Sequence, residues 1–164
     1  MELTSIDYSR LIQYAAQKLH MVKLNKTQVN KILFYVYGVY LSETGKPLFN
    51  DDKPQAWTHG PVFPRQNKRI NTDEIIKRFD DETVKAYKSN QKAIDIVVMA
   101  VNRMYNVSAN SLTGWSHQDG SPWYNTIYEK DENGRVVSQR KWATPIADSV
   151  TKSYFDDKKN RIFG

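Results

Sequence analysis

The chain has 164 residues, of which 40% are hydrophobic and 12% aromatic, and it contains no cysteine. A chain of this length buries roughly 70% of its unfolded surface in one core, and its aromatic content is too high for disorder. The missing cysteines exclude disulfides, cysteine-ligated zinc, iron–sulfur clusters and thiol chemistry. The net charge is +6, with basic residues in small groups such as Arg65, Lys68 and Arg69 or Lys158, Lys159 and Arg161. Acidic residues (Asp73, Glu74, Asp80, Asp81) are interleaved. The charge therefore suits a solvated surface, or a patch that attracts nucleic acid or an acidic protein. No run approaches the ~20 apolar residues that span a bilayer. The start, MELTSIDYSR, has no apolar core and cleavage site of the kind that marks a secretion signal. A soluble cytoplasmic domain without membrane contact is expected.

In chain order, residues 5–21 read as a helix. Thr4 and Asp7 fit a capping box, and Tyr8, Leu11, Ile12, Ala15, Ala16 and Leu19 fall on one face. A second helix opens at Asn25, with Gln28 as its reciprocal cap, and closes at Gly45 and Pro47. It is apolar almost all the way round, the mark of a central helix. Prolines 47, 54, 61 and 64 forbid helix in the next segment. There, Gln55, Ala56, Trp57 and Thr58 suit a short edge strand. Leu48, Phe49, Trp57, Val62 and Phe63 require this loop to pack on the helices or to bind something.

Thr72 is expected to cap a short helix with Asp73 and Glu74 in its first turn. Residues 91–105 carry Ile94, Val97, Val98, Val101 and Tyr105 on an amphipathic face. Ser108 caps a further short helix, and Ser121 with Pro122 starts another. Asn133-Gly134 between apolar pairs predicts a small hairpin. Pro145 is expected to open a closing helix to about Asp156. No repeat or linker interrupts the pattern, so residues 1–164 form a single domain. The expected fold class is mainly α (α+β): a compact helical domain around a central hydrophobic helix, with a small β element or hairpin.

Few residues of the chain are arranged for catalysis or metal binding. His20 lies near the carbonyl end of the first helix, where an imidazolium is favoured. His59 and His117 lie in loops far apart in sequence and could meet a carboxylate such as Asp119, but no metal-ligand spacing supports this. No nucleophile elbow, phosphate loop or dinucleotide fingerprint occurs. The paired carboxylates Asp51-Asp52, Asp80-Asp81 and Asp156-Asp157 sit in polar stretches that read as solvated surface. The second helix is too apolar to serve as a DNA-reading helix. These residues describe a binding domain, not an enzyme, and imply no cofactor and no metal.

The residues from 26 to 64 carry a resemblance. Residues 31–40, Gly45, Pro47-Leu48-Phe49, Ala56-Trp57, Gly60-Pro61-Val62 and Pro64 occur in the order found in the Panacea domain, the SocA-like antitoxin or phage-associated GepA-type domain. Leu112, Ser116-His117, Pro122-Trp123, Ile146 and Tyr154-Phe155 match its later signature. Asp51-Asp52-Lys53 departs from the more apolar lead-in of that family. The resemblance implies a helix-rich antitoxin that neutralises a cognate toxin protein by direct contact. Related proteins also deliver the toxin to a ClpXP-type protease, and many are carried on prophages. The alternative role is a phage accessory protein that binds a host factor or nucleic acid.

Within such a grip, Trp57, His59, Phe63 and Arg65 combine aromatic anchors and a cation on a proline-stiffened loop, the composition of an interface hot spot. With His117 and Trp123 they are the expected partner-binding residues, although Trp57 and Trp123 also suit a purely structural role covering the central helix.

Overall fold

The computed structural model describes residues 1–162. α1 (Ser5–His20) starts with the capping box expected of it. The Thr4 side chain accepts from the Asp7 amide, and the Asp7 carboxylate accepts the Thr4 N–H at 2.8 Å. α2 (Lys26–Thr44) is closed at both ends as its sequence demands, by the reciprocal Asn25–Gln28 cap and by Gly45 at φ 72°. Residues 29–39 of α2 are all buried. An α-helix apolar on every side must be surrounded, and α2 packs against α1, α5 (Gln91–Met104), α6 (Ala109–Ser116) and α8 (Asp148–Asp156). α8 comes close to α2 at Gly38, where a Cβ would fall 2.1 Å from the Phe155 ring. That ring lies edge-on to Phe34 and Tyr35, with centroids 6.0 and 5.7 Å apart.

The proline-rich segment after α2 is ordered by its aromatics. Leu48, Phe49, Val62 and Phe63 are buried, and Phe63 contacts Tyr37 and Phe49 with ring centroids 5.2 Å apart in each case. Within it, β1 (Gln55–Trp57) pairs antiparallel with β2 (Gly60–Val62). The expectation of an edge strand is corrected here. β1 is the middle strand of a three-stranded sheet, because β5 (Thr144–Pro145) pairs on its other side. The Ala143 and Ile146 amides donate to the Ala56 and Pro54 carbonyls, a partnership between distant segments that no local pattern announces. Pro145 accordingly belongs to a strand, and the closing helix begins three residues later, at Asp148.

α3 (Pro64–Arg69) follows the hairpin with proline at its first position. A second correction concerns Thr72, which caps nothing: residues 70–80 form no helix. Instead α1 holds this strap by its backbone. Gln13 donates to the Asn71 carbonyl at 3.0 Å, and Gln17 both donates to the Glu74 carbonyl and accepts from the Ile76 amide, each at 2.9 Å. Arg10 pairs with Glu74 at 2.7 Å. Side chains that satisfy backbone groups directly compete with helix formation. The helix begins later, as α4 (Asp81–Lys88), with Asp80 as its cap.

α5 and α6 follow, then α7 (Pro122–Ile127) with Ser121 as cap and Pro122 in the first turn, as expected. β3 (Tyr128–Lys130) and β4 (Val136–Gln139) form the predicted hairpin around Asn133-Gly134. Its second strand is exposed along its whole length. The fold class matches the expectation: a mainly helical domain around α2 with a little β structure. Among the described residues, no helix is long and apolar enough to cross a membrane.

Candidate partner-binding site

Hairpin β1–β2 turns through Thr58 and His59 and places four of the six expected contact residues together. Trp57 is half-buried, and its indole N–H donates to the Gln55 side chain at 3.0 Å. The Trp57 carbonyl accepts the Trp123 indole N–H at 2.6 Å, which ties the hairpin to the first turn of α7. The His117 ring stacks on Trp123 at 3.9 Å and 17°. Trp142 stacks on Trp123 from farther away, at 6.1 Å and 20°. His59 is exposed at the hairpin tip, and its backbone bonds to His117. The two loop histidines do converge, but Asp119 is not with them. It is engaged by Lys130 at 2.5 Å, and among the described residues no group of three histidines or carboxylates gathers.

Two of the expected contacts are placed otherwise. Phe63 is 0% exposed and packs among Phe34, Tyr37 and Phe49. It is a core residue that cannot touch a partner in this conformation. Arg65 is exposed on α3, with its Nε 3.7 Å from Asp51, and it does not line the cleft under the hairpin. Trp123 is 5% exposed, so it shapes the site from beneath.

Lys31, which lies outside the expected contact residues, is buried beneath the hairpin. Gly60 takes φ +118°, and a Cβ there would lie 2.6 Å from Ser116 Oγ and 2.9 Å from Lys31 Nζ. The hairpin thus comes down on Lys31, which is 2% exposed. Among the described residues, the Lys31 ammonium reaches only the Pro61 carbonyl, at 3.5 Å. Burial lowers it from the usual lysine range to about 8. Burial also lowers His117, the positive charge of Lys31 adds to the effect, and the hydrogen bond to the His59 backbone partly opposes it. Beside Lys31 opens a cleft of about 490 Å³ lined by Lys26, Asn30, Trp57, His59, Val62 and Trp142 among others. The signal was available, because Lys31 is the sole charged residue in the buried run 29–39.

Asp51-Asp52-Lys53, the stretch that departs from the family pattern, turns out to be structural. Asp52 is 6% exposed and accepts from the Gln66 amide at 2.8 Å, the Arg65 amide at 3.3 Å and Ser5 Oγ at 3.0 Å. Asp51 accepts the Ser5 amide at 2.9 Å. Lys53 pairs with Asp148 at 3.1 Å. These residues join the starts of α1, α3 and α8, so the reading of Asp51-Asp52 as solvated surface is corrected.

A buried helix roofed by a proline-rich hairpin, with the Ser116-His117 and Pro122-Trp123 pairs packed beneath that hairpin, joins the two halves of the family signature in one place. The chain belongs to the antitoxin SocA-like, Panacea domain family, whose model matches residues 29–124. It is similar to Antitoxin SocA of Caulobacter vibrioides, with 25% identity over 115 residues covering 62% of this chain. The match spans 59% of that relative's length. No solved structure matches the chain.

Proposed function

We propose that this domain is an antitoxin that neutralises a cognate toxin protein by direct contact and catalyses no reaction. The observation that supports it most is the family match over residues 29–124, which spans the whole hairpin and the His117–Trp123 stack. The physical setting agrees with the reading. The hairpin is stiffened by Pro54 and Pro61 and anchored from below by Trp123, so ordering it costs little on binding. It presents half-buried Trp57 and exposed His59 beside Trp142, which is 43% exposed. Aromatic groups held in place and reachable from solvent are the usual centre of a protein interface. The +6 charge favours an acidic partner.

Co-expression with the neighbouring open reading frame tests this directly. Growth arrest by the neighbour alone, rescue by this chain and copurification of the two are the expected results. A neighbour that is harmless alone, or a toxic one that this chain neither rescues nor binds, overturns the proposal. Repeating the rescue in cells lacking the ClpXP-type protease separates the two modes: simple blocking survives the loss of the protease, and delivery to it does not.

A further inference from the structure

The cleft beneath the β1–β2 hairpin contains a positive charge that the fold leaves unmatched. An ammonium offers three donors, yet Lys31 finds one acceptor at 3.5 Å and, among the described residues, no carboxylate. Lys26 lines the same cleft and adds a second positive charge, and the Lys31 charge helps to hold the His117 pKa down. Burying an ammonium without a counter-charge is strongly unfavourable, and a methionine or leucine would fill the same space without that penalty.

The adjoining wall offers a second unmatched group. The Asn30 side-chain carbonyl is buried and, among the described residues, has no hydrogen-bond partner. Its amide nitrogen donates to the Lys26 carbonyl at 3.0 Å and to Asn67 at 3.1 Å, which fixes the carbonyl as the free end. Trp57, Val62 and Trp142 supply an apolar part of the lining, beside the polar Thr27, Thr58 and Asn67, and about 490 Å³ of space is open to solvent. That volume falls within the range of small-ligand sites.

We propose that this cleft binds a carboxylate that has an amide N–H beside it and an apolar side chain attached, the chemistry of an N-acylated apolar amino acid. The carboxylate meets Lys31, the N–H donates to the Asn30 carbonyl, and the side chain lies against Trp57 and Trp142. The C-terminal residue of a bound polypeptide has this chemistry, and so does a free N-acyl amino acid. The polypeptide source rests on the antitoxin reading above; the site itself does not.

N-acetyl-leucine is a suitable probe, with N-acetyl-leucinamide as the partner lacking the charge. Titrated into the full chain and followed through the indole N–H resonances of Trp57 and Trp142, N-acetyl-leucine should give saturable shifts. The amide should bind at least tenfold more weakly, and Lys31→Met should lose at least tenfold in affinity for the acid. Trp142→Ala changes a side chain that is 43% exposed and should weaken binding as well, with an unchanged circular dichroism spectrum expected. No saturable response in the wild-type chain, or an equal response to acid and amide, overturns the proposal. Where the acid binds, competition against a copurifying toxin identifies the source: displacement assigns the polypeptide C-terminus, and co-binding assigns a free small acid. A chain that binds N-acetyl-leucine but rescues no toxin retains this site and sinks only the antitoxin reading.

Discussion

The Trp123 indole donates its N–H to the Trp57 carbonyl at 2.6 Å, across 66 residues of sequence. Two tryptophans of the family signature are thereby joined by a bond that uses the backbone of one and the ring of the other. Trp123 also supports the His117 ring at 3.9 Å. One buried ring therefore sets both the height of the hairpin over α2 and the tilt of the histidine beneath it. The exposed contact surface is positioned by a residue that itself meets almost no solvent.

Replacing Trp123 by Phe keeps an aromatic face for His117 and removes the donor. The expected loss is about 1–3 kcal/mol of folding stability, the usual cost of leaving a buried acceptor without its donor. Trp123→Ala should lose about 3–5 kcal/mol, because the cavity term is added. Urea denaturation monitored by circular dichroism reads both. An unchanged midpoint for Trp123→Phe would mean that water replaces the lost donor and the hairpin is held by its other contacts.

Gly38 offers a test of the packing between α2 and α8. Alanine inside a helix ordinarily gains about 0.5–1 kcal/mol over glycine. Here the added carbon would lie 2.1 Å from the Phe155 ring, so the sign should reverse. Gly38→Ala should destabilise by about 1–3 kcal/mol through overpacking. Combining it with Phe155→Leu should cost less than the sum of the two single changes, since both act on one contact. Strict additivity would show that the ring moves aside freely.

Much of this fold is written in local patterns. The capping boxes of α1 and α2, the glycine after Thr44 and the Asn133-Gly134 turn each involve residues a few positions apart, and each formed as read. The failures share one cause, which is a partner distant in the chain. Thr72 looks like a helix cap until Gln13 and Gln17 take the backbone groups that such a helix would use. Pro145 looks like a helix start until Gln55 pairs with it. At the site, Trp57, His59, His117 and Trp123 were legible as aromatic and imidazole groups that the structure draws together. Phe63 was misplaced because an aromatic residue in a loop carries no sign of which way it faces. Lys31 was hidden by the apolar helix around it, although a lone charge in such a run is itself informative.

Asp52 takes the place of a missing cap. Phe63, the residue before α3, has no side-chain oxygen to offer, and Asp52 accepts the Gln66 and Arg65 amides instead. Asp52→Ala should therefore lose about 1–3 kcal/mol, through both the cap and the buried Ser5 contact. Faster hydrogen exchange at the Gln66 amide would place the loss at α3. Protection that is unchanged there, with lowered global stability, would assign it to the Ser5 side of the clasp.

The buried Lys31 amine makes stability depend on pH in a defined direction. Its folded value is lowered to about 8, against about 10.4 for an exposed lysine. Between those values the unfolded chain binds more protons than the folded one, so stability rises with pH across the window. The contribution is fully present above the unfolded value and is lost as pH falls through about 8. The wild-type chain should thus gain roughly 2 kcal/mol relative to Lys31→Met between about pH 7 and pH 9.5. Working above pH 7 keeps clear of His117, whose lowered value adds a loss only as pH falls through its own range. Working below pH 10 keeps clear of buried Tyr8, raised to about 12, whose effect has the opposite sign. The same comparison has an internal check. Removing the Lys31 charge should raise the His117 pKa, because that charge helps to hold it down, and a histidine titration by NMR reads this shift independently of stability. A pH-independent difference together with an unmoved His117 would show that the ammonium is hydrated in solution, and the cleft would then have no unmatched charge to offer a ligand.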